Sequence, residues 1–299
     1  MGMSEFLQAF GRVVKETGAN VFRVAELIGD GEPEVLEFQK TNPCQDLYSV
    51  AKAYVVTAVG MLYDMGKIQP EEIITDVLGD LCPENTHPFW HETTIDMLLT
   101  HRVRLPGGFL DIDSLDANEF GEDYLAYTLT YPLLPGDGKE GCYTDAAFYI
   151  LARAVEVRAG MPIDDFLWKH LFFPLGYREV AWSKCPLGHP MGATGLYIRA
   201  EDMTKLGAIY LNKGCYHGKR YLSEEWVDMV LTRGYELHQV GIGKAYGKGG
   251  MRGQMLLVIP EENRVVAWQG FHEEGPYPFT EFSACYRQDG IAITPSVGY

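Results

Sequence analysis

The chain has 299 residues, with 41 acidic against 25 basic side chains and a formal charge of −16. Basic groups that are outnumbered and scattered exclude a binder of phosphate backbones, whose affinity comes from clustered Lys and Arg, and they disfavour an anionic membrane surface. Hydrophobic residues at 46% and charged residues at 22% give an ordinary globular mix, and no nucleic acid and no membrane is expected as a partner.

At the N-terminus, Phe6, Leu7, Phe10, Val13 and Val14 recur at helical spacing, predicting a helix over Ser4–Gly18 with the glycine closing it. Glu5, Gln8, Arg12 and Lys15 interrupt any secretory apolar region there. Val21–Ile28 and Val35–Gln39 flank Gly-Asp-Gly-Glu-Pro, a turn composition that predicts a hairpin. Ser49–Met65 carries a broad apolar stripe and predicts a helix ended by Gly66. Its charge-free stretch, Ala53–Tyr63, falls short of the about 20 residues that a membrane span needs. A cytoplasmic location is therefore expected. The six cysteines lie far apart without a C-x-x-C pair and are read as free thiols.

Between Lys67 and His189 the pattern turns mainly helical, with candidates at Thr94–His101, Ala146–Ala159 and Ile163–Phe172. Helices at Asp202–Asn212 and Glu224–Thr232 follow, and Gln254–Ile259 with Arg264–Gln269 reads as a closing hairpin across Pro-Glu-Glu-Asn. Strands at both ends with helices between them predict an α+β fold, an antiparallel sheet completed by distant parts of the chain and flanked by helices. The expected organisation is a single catalytic domain over 1–299, with its α/β part roughly at 1–66 and 190–299 and a helical subdomain roughly at 67–189.

Chemistry enters at Ser49-Val-Ala-Lys52, where i, i+3 spacing at a helix start sets a hydroxyl and an amine on one face. A serine hydroxyl needs a base to become a nucleophile, and an amine serves only when burial favours its neutral form. Val50, Ala51 and Val55 would desolvate the amine, and the helix N-terminus favours developing negative charge on the serine oxygen. No zinc motif is complete. His91-Glu-Thr-Thr-Ile95 lacks a second histidine, and in Asp111–Glu122 Leu115 and Asp116 stand where a calcium loop needs an oxygen ligand and a glycine. No metal and no organic cofactor is expected.

Six segments in order resemble the serine β-lactamase and penicillin-binding-protein family, in its class C β-lactamase, esterase and D-aminopeptidase branch. They are Asp46-Leu-Tyr-Ser-Val-Ala-Lys52, Thr94-Ile-Asp-Met-Leu-Leu-Thr-His101, Pro135-Gly136 with Tyr143-Thr-Asp145, Phe173-Pro-Leu-Gly176, Leu196-Tyr-Ile-Arg-Ala-Glu-Asp202 and Lys248-Gly-Gly-Met-Arg-Gly-Gln254. The resemblance implies a β-lactamase/transpeptidase-like fold and a serine hydrolase acting through an acyl-enzyme on a small ester, amide or D-amino-acid peptide. Ser49 would attack, Lys52 and Tyr143 would move protons, and the amides of Ser49 and Met251 would form the oxyanion hole. Asp145, Lys248, Gly250, Met251 and Arg252 would bind the small-molecule substrate, with Lys248 and Arg252 orienting it. The alternative is a related scaffold that has lost catalysis and binds a ligand or partner.

Two departures stand out. Asp145 replaces the family's usual Asn with a group that is acceptor-only when ionised, and it can equally serve as N-cap of the following helix. Arg102-Val-Arg-Leu105 replaces the usual "TSGL" after Thr100-His101, where His101 reads as structural near a helix end.

Overall fold

A computed structural model describes residues 2–136, 139–241, 244–272 and 278–287. In chain order, α1 (Glu5–Thr17), β1 (Val21–Ile28), β2 (Glu34–Glu37) and β3 (Gln45–Asp46) lead through a 3-10 turn at Tyr48–Val50 into α2 (Ala51–Asp64). The helices α3 (Ile74–Leu78), α4 (Ile95–Leu99), α5 (Tyr124–Thr130), α6 (Asp145–Ala159) and α7 (Ile163–Leu167) follow. Next come β4 (Ala181–Trp182), β5 (Leu196–Ile198), α8 (Ala200–Leu211), β6 (Cys215–Tyr216) and β7 (Lys219–Arg220). The last elements are α9 (Glu224–Arg233), β8 (His238–Val240), β9 (Ala245–Gly250), β10 (Gln254–Ile259), β11 (Arg264–Gly270) and α10 (Phe279–Cys285).

These elements form two compact units. One comprises Met1–Val50, Tyr177–Val180 and Tyr197–Tyr299, the other Ala51–Gly176 and Ala181–Leu196.

The first unit is built on a six-stranded antiparallel sheet in the order β2-β1-β11-β10-β9-β8. Its central strand β11 is buried along its whole length, because both faces are covered. Period-two alternation sends Val266 and Trp268 into a core with Phe6, Phe10 and Phe279 of α1 and α10. Val265 and Leu256 face α8 instead, which approaches closely at Gly207. Ser4 caps α1 by accepting from the Leu7 amide, and Gly18 ends the helix in the left-handed conformation. Arg264 is almost fully buried and donates to Glu26 at 2.8 Å, tying β11 to β1 with charge as well as backbone pairing.

In the second unit α2 packs against α6, and α3, α4 and α7 surround α6. Every residue of α2 from Ala51 to Leu62 is buried, so its apolar character is carried all round rather than on one stripe. The helix expected over Ile163–Phe172 splits into α7 and a π turn at Trp168–Phe172. Asp145 is not the N-cap of α6. Thr144 has the extended backbone and its hydroxyl accepts from the Ala146 amide, which leaves Asp145 as the first helical residue with its carboxylate free for another partner. All six cysteines are free thiols. Among the described residues, no helix is long and apolar enough to cross a membrane.

Candidate active site

In the sheet unit, Ser49 lies half-buried on the 3-10 turn between β3 and α2. The turn is pinned locally: the Asp46 carboxylate accepts from the Tyr48 amide at 2.8 Å, and the Leu47 carbonyl accepts from the Val50 amide at 3.1 Å. Tyr48 takes a left-handed backbone with φ of 47°, a conformation uncommon for a non-glycine residue.

The end of β9 lies directly against this turn. A Cβ at Gly250 would overlap the Leu47 carbonyl, so glycine is what permits the approach. Lys248 shares the strand face of Gly250, two residues earlier. It is 6% exposed and ion-paired with the Glu236 carboxylate, which is fully buried. Sequence reasoning missed Glu236, which lies in the irregular segment before β8 where no periodicity marks it.

Beyond β9 the chain turns sharply through Met251, Arg252 and Gly253. Met251 is 37% exposed, and Arg252 and Gly253 have φ of 62° and 89°. The Arg252 guanidinium lies 5.1 Å from the Phe271 ring centre, and its carbonyl accepts from the His272 amide at 3.0 Å. The His272 ring fills the space that a side chain at Gly253 would need. Burial holds this imidazole below the ordinary histidine pKa.

In the helical unit, Lys52 is fully buried one residue into α2. Its ammonium donates to the Asp145 carboxylate at 2.7 Å and to the Ala193 carbonyl at 3.0 Å, and it lies 4.7 Å from the centre of the Tyr143 ring. Lys52, Asp145 and Tyr143 are thus brought together from α2, the start of α6 and the loop before it. Tyr143 itself is 45% exposed.

Two further groups shape this cluster. His101, in a left-handed conformation with φ of 56°, accepts from the Thr144 amide at 3.3 Å, and its ring lies tilted against that of Tyr143, 4.5 Å between centres. It orders the loop that carries the phenol, a role that its position after α4 does not disclose in sequence. Asp113 accepts from the Thr194 hydroxyl at 2.5 Å, and burial first, then the nearby Asp111 and Asp145 charges, push its carboxyl up from the usual range. No group of three or more His, Cys, Asp or Glu side chains among the described residues could hold a metal ion.

The cluster and the fold can be set beside known proteins. The sequence profile of the family described as Beta-lactamase matches residues 40–276. The 6-aminohexanoate-dimer hydrolase of Paenarthrobacter ureafaciens is 26% identical over 253 residues, covering 74% of this chain and 59% of that protein. This chain therefore spans about three fifths of that relative. Among solved structures, the penicillin-binding protein from Bacillus halodurans superposes with a TM-score of 0.65 at 16% identity, covering 92% of this chain and 98% of that one. EstCE1, a hydrolase with promiscuous acyltransferase activity, gives 0.68 at 15% identity with 94% and 97% covered. These similarities establish a β-lactamase/transpeptidase-like fold. Since the profile takes in most of the sequence, from just before the Ser49 turn to beyond the sheet's last strand, the chain belongs to the beta-lactamase family.

Proposed function

We propose that this protein is a serine hydrolase that works through an acyl-enzyme on a small ester, amide or D-amino-acid peptide. The observation that carries the proposal is the fully buried Lys52 ammonium, paired with Asp145 and flanked by the Tyr143 ring, three residues after Ser49 in one uninterrupted helical run. An ammonium already donating to a carboxylate and a carbonyl is a poor proton acceptor. That leaves the Tyr143 oxygen, beside the cation, to take the Ser49 proton.

Ser49 Oγ then bonds to the carbonyl carbon, and the oxyanion is met by the amides of Ser49 and Met251. Collapse breaks the bond to the leaving group, which departs with the proton from Tyr143. Water enters next, gives a proton to Tyr143 and attacks the acyl carbon, and Ser49 leaves with that proton. Gly250 lets the acyl group lie against the backbone of β9, with Lys248 and Arg252 near its path. The names of the relatives, an amide hydrolase and a hydrolase with acyltransferase activity, support amide and ester substrates.

Incubation with a fluorophosphonate, followed by intact mass, should show one adduct on the wild type and none on Ser49→Ala. Hydrolysis of a chromogenic short-chain ester should fall at least a thousandfold in the variant. Equal labelling or equal turnover overturns the proposal. The Lys52–Asp145 pair also favours a second reading, a scaffold that binds without turnover because its lysine is locked. A folded protein that no acyl-directed probe labels, yet whose Tm rises with a peptide or metabolite, selects it.

A further inference from the structure

The buried partner of Lys248 bears on which substrates the proposed site accepts, and the inference below rests on that proposed activity. Lys248 projects from the face of β9 that also carries Gly250, the face against which the Ser49 turn lies. A lysine alone there would draw an anionic group. Here Glu236 meets it as an ion pair in which the carboxylate is fully buried and the lysine nearly so.

This pair is part of the fold rather than a surface accident. Glu236 has a left-handed backbone with φ of 64°, held by its amide donating to the Gly234 carbonyl at 2.7 Å. Two residues later the chain enters β8, whose His238 pairs with Gly247 of β9, so Glu236 and Lys248 are fixed by adjoining strands. Tyr235 beside it packs on Trp226 of α9, 6.0 Å between ring centres, which restrains the segment from its other side. With both charges taken out of water, neither can swing away to serve another partner without leaving the other buried and unpaired.

We infer that Glu236 is a specificity determinant: by neutralising Lys248 it sets the site for esters and amides that carry no carboxylate beside the scissile bond. An incoming carboxylate would lose its hydration and meet a cation already compensated, with a second negative charge behind it. An uncharged group meets no such penalty.

The test uses two substrates matched in shape, 3-carbamoylphenyl butyrate and 3-carboxyphenyl butyrate, and reads the ratio of their kcat/KM values at low salt. The wild type should favour the carbamoyl ester at least tenfold. Glu236→Gln should shrink that ratio at least fivefold, and adding Lys248→Gln should restore it, since the effect runs through the lysine charge. A wild type that takes both esters within twofold, or favours the carboxylate, overturns the inference, and that measurement needs no variant to fold. So does a folded Glu236→Gln with an unmoved ratio. Absence of any Ser49-dependent turnover of the carbamoyl ester instead overturns the proposed activity itself.

Discussion

Lys52 is a cation kept wholly from water, with the Asp145 carboxylate as its ion-pair partner. Removing one member of such a pair leaves the other buried and uncompensated, which costs about 3–5 kcal/mol. Asp145→Ala should therefore lower unfolding stability by roughly that amount, whereas Asp145→Asn, which keeps an oxygen to accept from Lys52, should cost less than half as much. Urea denaturation of the three proteins separates these outcomes. An alanine variant within 1 kcal/mol of wild type would mean that Asp145 does not compensate the lysine.

His272 makes a prediction of opposite chemistry, because its burial favours the neutral ring. A folded pKa below the unfolded value means that the unfolded chain binds more protons, so stability rises with pH. The contribution is complete above the ordinary imidazole pKa of 6.5 and is lost as pH falls through the lower folded value. Replacing the ring by an untitratable one, His272→Phe, should thus give a stability difference, wild type minus variant, that declines between pH 7 and 5. A difference that stays flat would contradict a buried neutral imidazole.

At the scale of elements, close approach explains more than side-chain chemistry. Helix α8 can lie on β10 and β11 because Gly207 has no Cβ; one added there would overlap Val265 and press on Leu256. Gly207→Ala should cost about 1–3 kcal/mol through overpacking despite alanine's better helix propensity. A higher Tm for that variant would show that the helix can lift without penalty. Gly192 serves similarly in the other unit, where a Cβ would meet the Phe148 carbonyl of α6 at 2.6 Å; the approach brings the neighbouring Ala193 carbonyl to Lys52.

Elements with one strong local signal were legible in the amino-acid order. Strand β1, the β10–β11 hairpin, helix α1 with its serine and glycine ends, and helix α9 lie where alternation and helical spacing put them. Strands β8 and β9 were not, because Ala-Tyr-Gly-Lys-Gly-Gly has no apolar alternation and becomes a strand only by pairing with Leu257 and its neighbours on β10. Motif order pointed to Lys52, Tyr143 and Asp145, and these three side chains do cluster. His101 was legible only as a structural residue, and Glu236 and Asp113 escaped because their roles depend on tertiary partners far away in sequence. The cap of α6 shows the limit of local inference: Thr144 and Asp145 are both good caps, and the demand of Lys52 for a counter-ion leaves the task to threonine.

For the whole molecule the acidic excess dominates long-range behaviour. A formal charge of −16 repels itself in the compact state, and salt screens that repulsion over about 8–10 Å at moderate ionic strength. Raising salt from 0.02 to about 0.3 M should therefore raise Tm by roughly 2–5 °C, as thermal scanning would register. A fall in Tm would assign more weight to the ion pairs, such as Arg264–Glu26, than to the net charge.

The pairing of β1 with β11 carries a consequence for biosynthesis. Val24 is matched to Trp268 and Ile28 to Arg264, so the middle of the sheet joins stretches of polypeptide far apart in sequence. The β1–β2 hairpin is made before its partner and must wait, with an unsatisfied edge, until β11 has also been synthesised. The sheet therefore closes late, and the nascent chain is most in need of chaperone cover during that interval.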